Sequence, residues 1–277
     1  MRRLKNILTG VGALVLVALV PARASAGSIY LTGHDVELHT NQNGYSTVIL
    51  NWLRGAGTAS EIAAGGYDIL FFRSAEIGGS ATAPGGFGTV TTADPTTFDW
   101  TTLGNYDVIE IASHFTCGGC DLTTADSDTI NAHAAEIQAF FNAGGDIWAN
   151  AGATLLTYYN FLPPGSTAIG TSIGDACGFV ATAAGLAIGI DGGACGSATT
   201  MINGFQTHSE FTSFSAVFTV FETRSSTGGA ISLGVRDATI IDTAVVDPRA
   251  TVPEPATLLL LGGGLAAAAA RRRRAKK

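Results

Sequence analysis

Residues 137–153 read IQAFFNAGGDIWANAGA, and this stretch decides the fold class. Ile137, Phe140 and Phe141 continue a face begun by Ile130 and Ala134, which is the spacing of an amphipathic helix. Gly144-Gly145 ends that helix, because glycine takes up the left-handed conformation in which helices commonly stop. Asp146 to Gly152 follows at once as an apolar run too short for a second helix, so it reads as a strand. A helix feeding directly into a non-alternating apolar strand is the unit of a parallel sheet covered by helices.

Working outward, SIYLT (28–32), YDILFF (67–72) and YDVIEIAS (106–113) read as further strands of the same kind. GYSTVILNWLRGAG (44–57) places Val48, Leu50, Trp52 and Leu53 in a helical pattern that stops at glycines. Thr123 or Thr124 caps the helix that runs to about Asn142. Segment 74–97 is rich in Gly, Thr, Ala and Pro and too long for an ordinary connection, so it reads as an insertion or surface excursion. Residues 163–200 give only weak strand signals. AVFTVFE (216–222) and GAISLGV (229–235) are good strands, and DATIIDTAVV (237–246) is a further one. The expected architecture is α/β: an open, mostly parallel sheet with flanking helices, whose last strands form a C-terminal β-hairpin or extend the sheet.

The two ends belong to other functions. Residues 1–26 carry a basic start (Arg2, Arg3, Lys5), an apolar run from Ile7 to Val20, and Ala24-Ser25-Ala26 before Gly27. These are the three parts of a secretory signal peptide, removed on export. The expected organisation is a signal peptide at 1–26, an exported domain at 27–250 and a separate tail at 251–277. Of fifteen basic residues, four lie in the leader and six in the tail, so the body keeps five arginines and no lysine. Against 21 of the 22 acids this is a net charge of −16. Such a body repels nucleic acid and anionic headgroups and suits a soluble protein or a binder of cations. All four cysteines (Cys117, Cys120, Cys177, Cys195) lie in the exported part, where an even count predicts two disulfides. Three pairings are open, 117–120 with 177–195 being the simplest.

The tail has three parts. Val252-Pro253-Glu254-Pro255 is stiff, because both prolines fix φ and restrict their neighbours. Ala256 to Ala270 is uncharged and mostly apolar, a transmembrane helix of about 22 Å that relies on flanking arginines to snorkel. The cluster from Arg271 to Lys277 holds that end in the cytoplasm, so the body faces outward. This ending, with Gly262-Gly263-Gly264 inside the apolar run, resembles the PEP-CTERM sorting signal of Gram-negative bacteria. The resemblance implies recognition by exosortase, a membrane cysteine peptidase that cuts near the motif. It also implies a membrane-tethered intermediate, then delivery to the cell surface or the extracellular space, often alongside extracellular polysaccharide.

The body resembles the class I glutamine-amidotransferase-like superfamily, including its ThuA-like members. The residues concerned are YLTGHD (30–35), YDVIEIASH (106–114), IQAFFNAGGDIWANAGA (137–153) and NGFQTHSEF (203–211). That resemblance implies a flavodoxin-like or amidotransferase-like sheet. Family enzymes use a cysteine in a Gly-x-Cys-x-Gly turn with a later histidine and glutamate. Here SHFTCGGCDL (113–122) lacks the first glycine before Cys117, and Cys120 stands close enough to oxidise with it. A disulfide-bound sulfur is no nucleophile, so the H-x-E pair His208 and Glu210 has no assured partner.

A second constellation does not depend on that cysteine. Open α/β sheets bind ligands at the carboxyl ends of their strands. His34 and Asp35 follow the first strand, His114 the third and Asn150 the fourth, with His39 nearby and His208 and Glu210 arriving from the C-terminal half. Imidazoles with carboxylates suit a divalent metal, so a ligand or metal pocket of His34, Asp35, His114, His208 and Glu210 is the candidate. The competing expectation is that these side chains cap loops and satisfy buried backbone. Asp121, Asp126 and Asp128 lack the Gly and Glu of an EF-hand loop and read as charge at a helix N-terminus. His133 reads as a surface or packing residue, and Asp175 and Asp191 as turn residues. Two functions follow: a non-catalytic exported surface protein binding matrix polysaccharide or a cation, or a surface hydrolase or metal-dependent enzyme on an amidotransferase-like scaffold.

Overall fold

The computed structural model describes residues 27–36, 44–55, 66–74, 87–114, 122–152, 155–197, 200–204 and 207–236, with 240–241 and 244–245. Residues 1–26 and 246–277, with His39, Cys117, Cys120 and Asp121, lie outside the described residues. The first half of the body contains β1 (Ile29–Thr32), α1 (Tyr45–Leu53), β2 (Ile69–Phe72), β3 (Val90–Ala93), β4 (Val108–Ile111), α2 (Thr124–Ala132), α3 (Ala134–Asn142) and β5 (Asp146–Ala149). Short 3-10 helices occupy Trp100–Asn105 and Tyr158–Phe161. The second half supplies β6 (Ala168–Asp175), β7 (Phe179–Ala181), α4 (Ala183–Ala187), β8 (Thr207–Phe214), β9 (Thr219–Arg224) and β10 (Ala230–Val235). A small separate hairpin follows, β11 (Ile240–Ile241) with β12 (Ala244–Val245), where the sequence reads as one strand.

The main sheet runs β3-β2-β4-β5-β1-β10-β8-β6, with β9 on β10 and β7 on β9. It is parallel from β3 through β1 and antiparallel beyond, so the predicted parallel sheet occupies the first half of a mixed one. Successive strand residues point to opposite faces, and both faces are covered. Ile29, Leu31, Ile109, Ile111, Ile147 and Ala149 join Ile137 and Phe141 of α3 in one core. Tyr30, Val108 and Trp148 join Ile49, Leu50 and Leu53 of α1 in the other. Burial on both faces explains why these strands read as continuous apolar runs.

A flavodoxin-like sheet places its first strand between the second and third, in the order 2-1-3-4-5. Here β1 lies beyond β5, and its other edge is taken by β10 in register from Ile29↔Val235 to Thr32↔Ser232. All six residues of β10 are buried, so β1 is the joint between the two halves of the sheet.

Local chemistry sets the helix ends. Thr123 and Asp126 form a reciprocal capping box that starts α2. Gly144 (φ 104°) donates to the Phe141 carbonyl and Gly145 to that of Phe140, the paired bonds of a Schellman end to α3. The single helix expected over this span breaks at His133, whose ring stacks on Trp100 at 4.2 Å between centroids. Segment 74–97 contributes the edge strand β3, whose alternating half-exposed residues suit a sheet margin. The weak signals over 163–200 conceal β6, β7 and α4.

Candidate functional site

The carboxyl end of β1 is where the two halves of the sheet meet. Gly33 donates to the Ile231 carbonyl, and its own carbonyl accepts from the backbone N–H groups of His208 and Ser209. A Cβ at Gly33 would lie 1.9 Å from the Ser209 carbonyl oxygen, so only glycine lets β8 come this close. That approach sets Thr207 and His208 alongside His34 and Asp35.

His34 and Asp35 then take different partners. The His34 ring is wholly buried, with Nε2 2.9 Å from Glu222 Oε2 and Nδ1 2.8 Å from Thr207 Oγ1. A carboxylate only accepts, so Nε2 carries the hydrogen and Nδ1 accepts from the Thr207 hydroxyl. Glu222 Oε2 also lies 3.0 Å from Ser232 Oγ, which is 3.0 Å from Thr32 Oγ1 and 2.9 Å from the Tyr45 hydroxyl. The Tyr30 hydroxyl extends the chain, 3.0 Å from that of Tyr45. Burial, and then the nearby Glu222 charge, raises both phenols well above their ordinary pKa. Asp35 instead meets His208, Oδ2 to Nε2 at 3.2 Å, and this pair reaches solvent through a His208 side chain that is 13% exposed.

The remaining predicted residues lie apart. Glu210 binds Arg224 at 2.9 Å and accepts from Thr227 at 2.7 Å, while Arg224 also pairs with Asp175. Glu210 and His208, two apart on β8, thus have separate partners. His114 is buried beside Tyr158 in the first core, with Nε2 3.4 Å from Thr124 Oγ1. Burial lowers its pKa, with Asp128 and Asp126 acting in the opposite direction. His34 packs against Tyr45 and Phe179 of the second core, so the two histidines contact opposite core clusters. Asn150 is buried and accepts from the Trp148 indole at 3.0 Å. Asp126 serves the capping box, Asp191 accepts from Gly193 N–H in a turn, and Asp175 is an ion-pair partner rather than a turn residue. Among the described residues, no group of three or more His, Cys, Asp or Glu side chains is arranged to hold a metal ion.

Two acids of this region were not singled out from the sequence. Glu222 is the carboxylate that binds His34, and Glu110 is buried within β4, where burial raises its pKa to about 8 against a smaller opposing effect of Asn150. Their signal was available: each is an acid set directly in an apolar run, VFTVFE and VIEI. Cys177 and Cys195 form a disulfide, one of the pairings open from sequence.

The decisive comparison concerns the other end of the chain. Residues 251–274 match the PEP-CTERM protein-sorting motif. The motif marks the chain as an exosortase substrate, exported and processed to the cell surface or the extracellular space. It covers the tail alone. No curated protein and no solved structure matches the chain. No helix among the described residues is long and apolar enough to cross a membrane, and the apolar run at 256–270 lies outside them.

Proposed function

We propose that the chain is made with a signal peptide at 1–26, held in the membrane by 256–270, and cut by exosortase near Val252-Pro253-Glu254-Pro255. The released body is a non-catalytic binding domain of the cell surface or matrix, taking extracellular polysaccharide or a cation. The PEP-CTERM match at 251–274 carries the sorting half of this reading. The body half is supported by how the candidate side chains are used. His34 has both ring nitrogens engaged inside the core, Glu210 is held by Arg224 in an ion pair that reaches solvent, and His208 with Asp35 reaches solvent as well. A charge of −16 on the body favours cations and neutral sugars over anionic partners.

Intact-mass measurement of the surface-released form tests the sorting step. The mass should correspond to a chain lacking 1–26 and the residues beyond the motif, and a product that retains Arg271–Lys277 overturns it. On the same material, a low-pKa reactive thiol at Cys117 would overturn the non-catalytic reading.

A further inference from the structure

Residues 176–197 lie over the His34–Glu222 pair. Strand β7 pairs with β9 so that Ala181 is opposite Glu222. The Phe179 ring meets His34 edge-on at 5.5 Å, and Phe179 and Ile190 are buried in the second core. Ala181, Ala184 and Ile188 pack against the same core only partly buried. Helix α4 has five residues, of which only Gly185 is buried, while Leu186 is 61% and Val180 50% exposed.

Besides the β7–β9 ladder and the bonds of Thr182 to the Phe221 and Val220 carbonyls, the segment is held by ties that join its two arms. The Asn203 side chain accepts from the N–H groups of Gly178 and Phe179 and donates to the carbonyls of Phe179, Gly192 and Gly193. The Cys177–Cys195 disulfide joins the same arms covalently. Beneath them Glu222 is fully buried, yet its Oε1 has no hydrogen-bond partner among the described residues. A buried carboxylate oxygen left unsatisfied is more stable in water, so the layer above it is closed against an opposing free energy.

We propose that the Cys177–Cys195 disulfide is a latch. Oxidised, it holds 176–197 closed over His34 and Glu222. Reduced, it lets the segment open and brings the pair to solvent while the parallel half of the sheet stays folded. Closing makes one S–S bond from two thiols, whose two electrons and two protons pass to the disulfide of an oxidoreductase in the exporting compartment. A small dithiol reverses this, breaking the bond to two thiols and leaving as its cyclic disulfide.

Hydrogen exchange read by mass spectrometry on the full-length chain tests the latch, comparing wild type with the Cys177→Ser/Cys195→Ser double variant. Loop closure of this length predicts exchange about a hundredfold faster across 178–194. Peptides covering β4 and β5 should be unchanged, and His34 should become reactive to diethyl pyrocarbonate. A dithiol added to a Cys117→Ser/Cys120→Ser variant should produce the same opening, reversed on reoxidation, which keeps the test decisive if the first variant does not fold. Unchanged protection over 178–194 overturns the proposal. Equal loss of protection in β4 and β5 also overturns it, because the bond is then a general stabiliser.

Discussion

The two halves of the sheet are stabilised by different means. Between β2 and β1 the strands are apolar on both faces apart from Glu110 and Asp146, and Ile109, Ile111, Ile147 and Trp148 are at most 1% exposed. Each such side chain contributes about 1.5–3 kcal/mol by leaving water. From β10 onward the interior includes Glu222, Ser232, Thr207 and Asn203, joined by hydrogen bonds and a disulfide. The parallel half depends on burial, which tolerates small shifts, whereas the antiparallel half depends on polar geometry, which does not.

The sharpest way to break this comparison is to remove one member of the buried pair. His34→Ala leaves Glu222 buried without its partner and should cost about 3–5 kcal/mol in urea unfolding. The double replacement His34→Leu/Glu222→Leu should recover most of that loss, since replacing both partners of a buried hydrogen bond by apolar groups of similar shape is often nearly neutral. If the single variant is as stable as wild type, the polar half does not depend on this geometry.

Titration separates the halves next. The Glu110 carboxyl has an ordinary pKa of 4.5 and is raised to about 8 in the fold by burial. Its contribution is therefore intact below pH 4.5 and lost as pH rises through about 8. Asp146 adds a smaller change of the same sign, from 3.8 to about 6, again through burial and against the bonds from Tyr67 and Ser28. Glu110→Gln should match wild type near pH 4.5 and exceed it by a few kcal/mol above pH 8. Urea midpoints across that range would show it, and parallel curves for the two proteins would refute it.

The smallest expected effect concerns local helix chemistry. Thr123→Ala removes the capping box of α2 and should lower stability by about 1 kcal/mol. Thermal unfolding would register this as a modest fall in Tm, and no change would mean that tertiary packing alone fixes the helix start.

The parallel half was legible because its cause is local. IQAFFNAGGDIWANAGA contains a helix face, a Schellman end and a buried strand within one window, and the structure forms all three. The edge strand β3 and the strands β6 and β7 were not legible, because Thr, Ser, Gly and Ala carry weak strand signals and become strands through their neighbours. The break at His133 was hidden for a related reason: its stacking partner Trp100 lies 33 positions away and leaves no periodicity. Of the candidate site, sequence placed His34 and Asp35 at the end of β1 but could not tell which partner each would take.

What the sequence alone determined is the destination of the protein and the parallel core: sorting motif, acidic body and apolar strands are each written in contiguous residues. Tertiary structure decided the rest. It placed β1 beside β10, gave His34 to Glu222 and Asp35 to His208, and laid 176–197 over the buried pair. The physical reason is separation along the chain: these partners are between 145 and 206 positions apart, brought together by Gly33's close approach to β8 and by the register of β9 on β10.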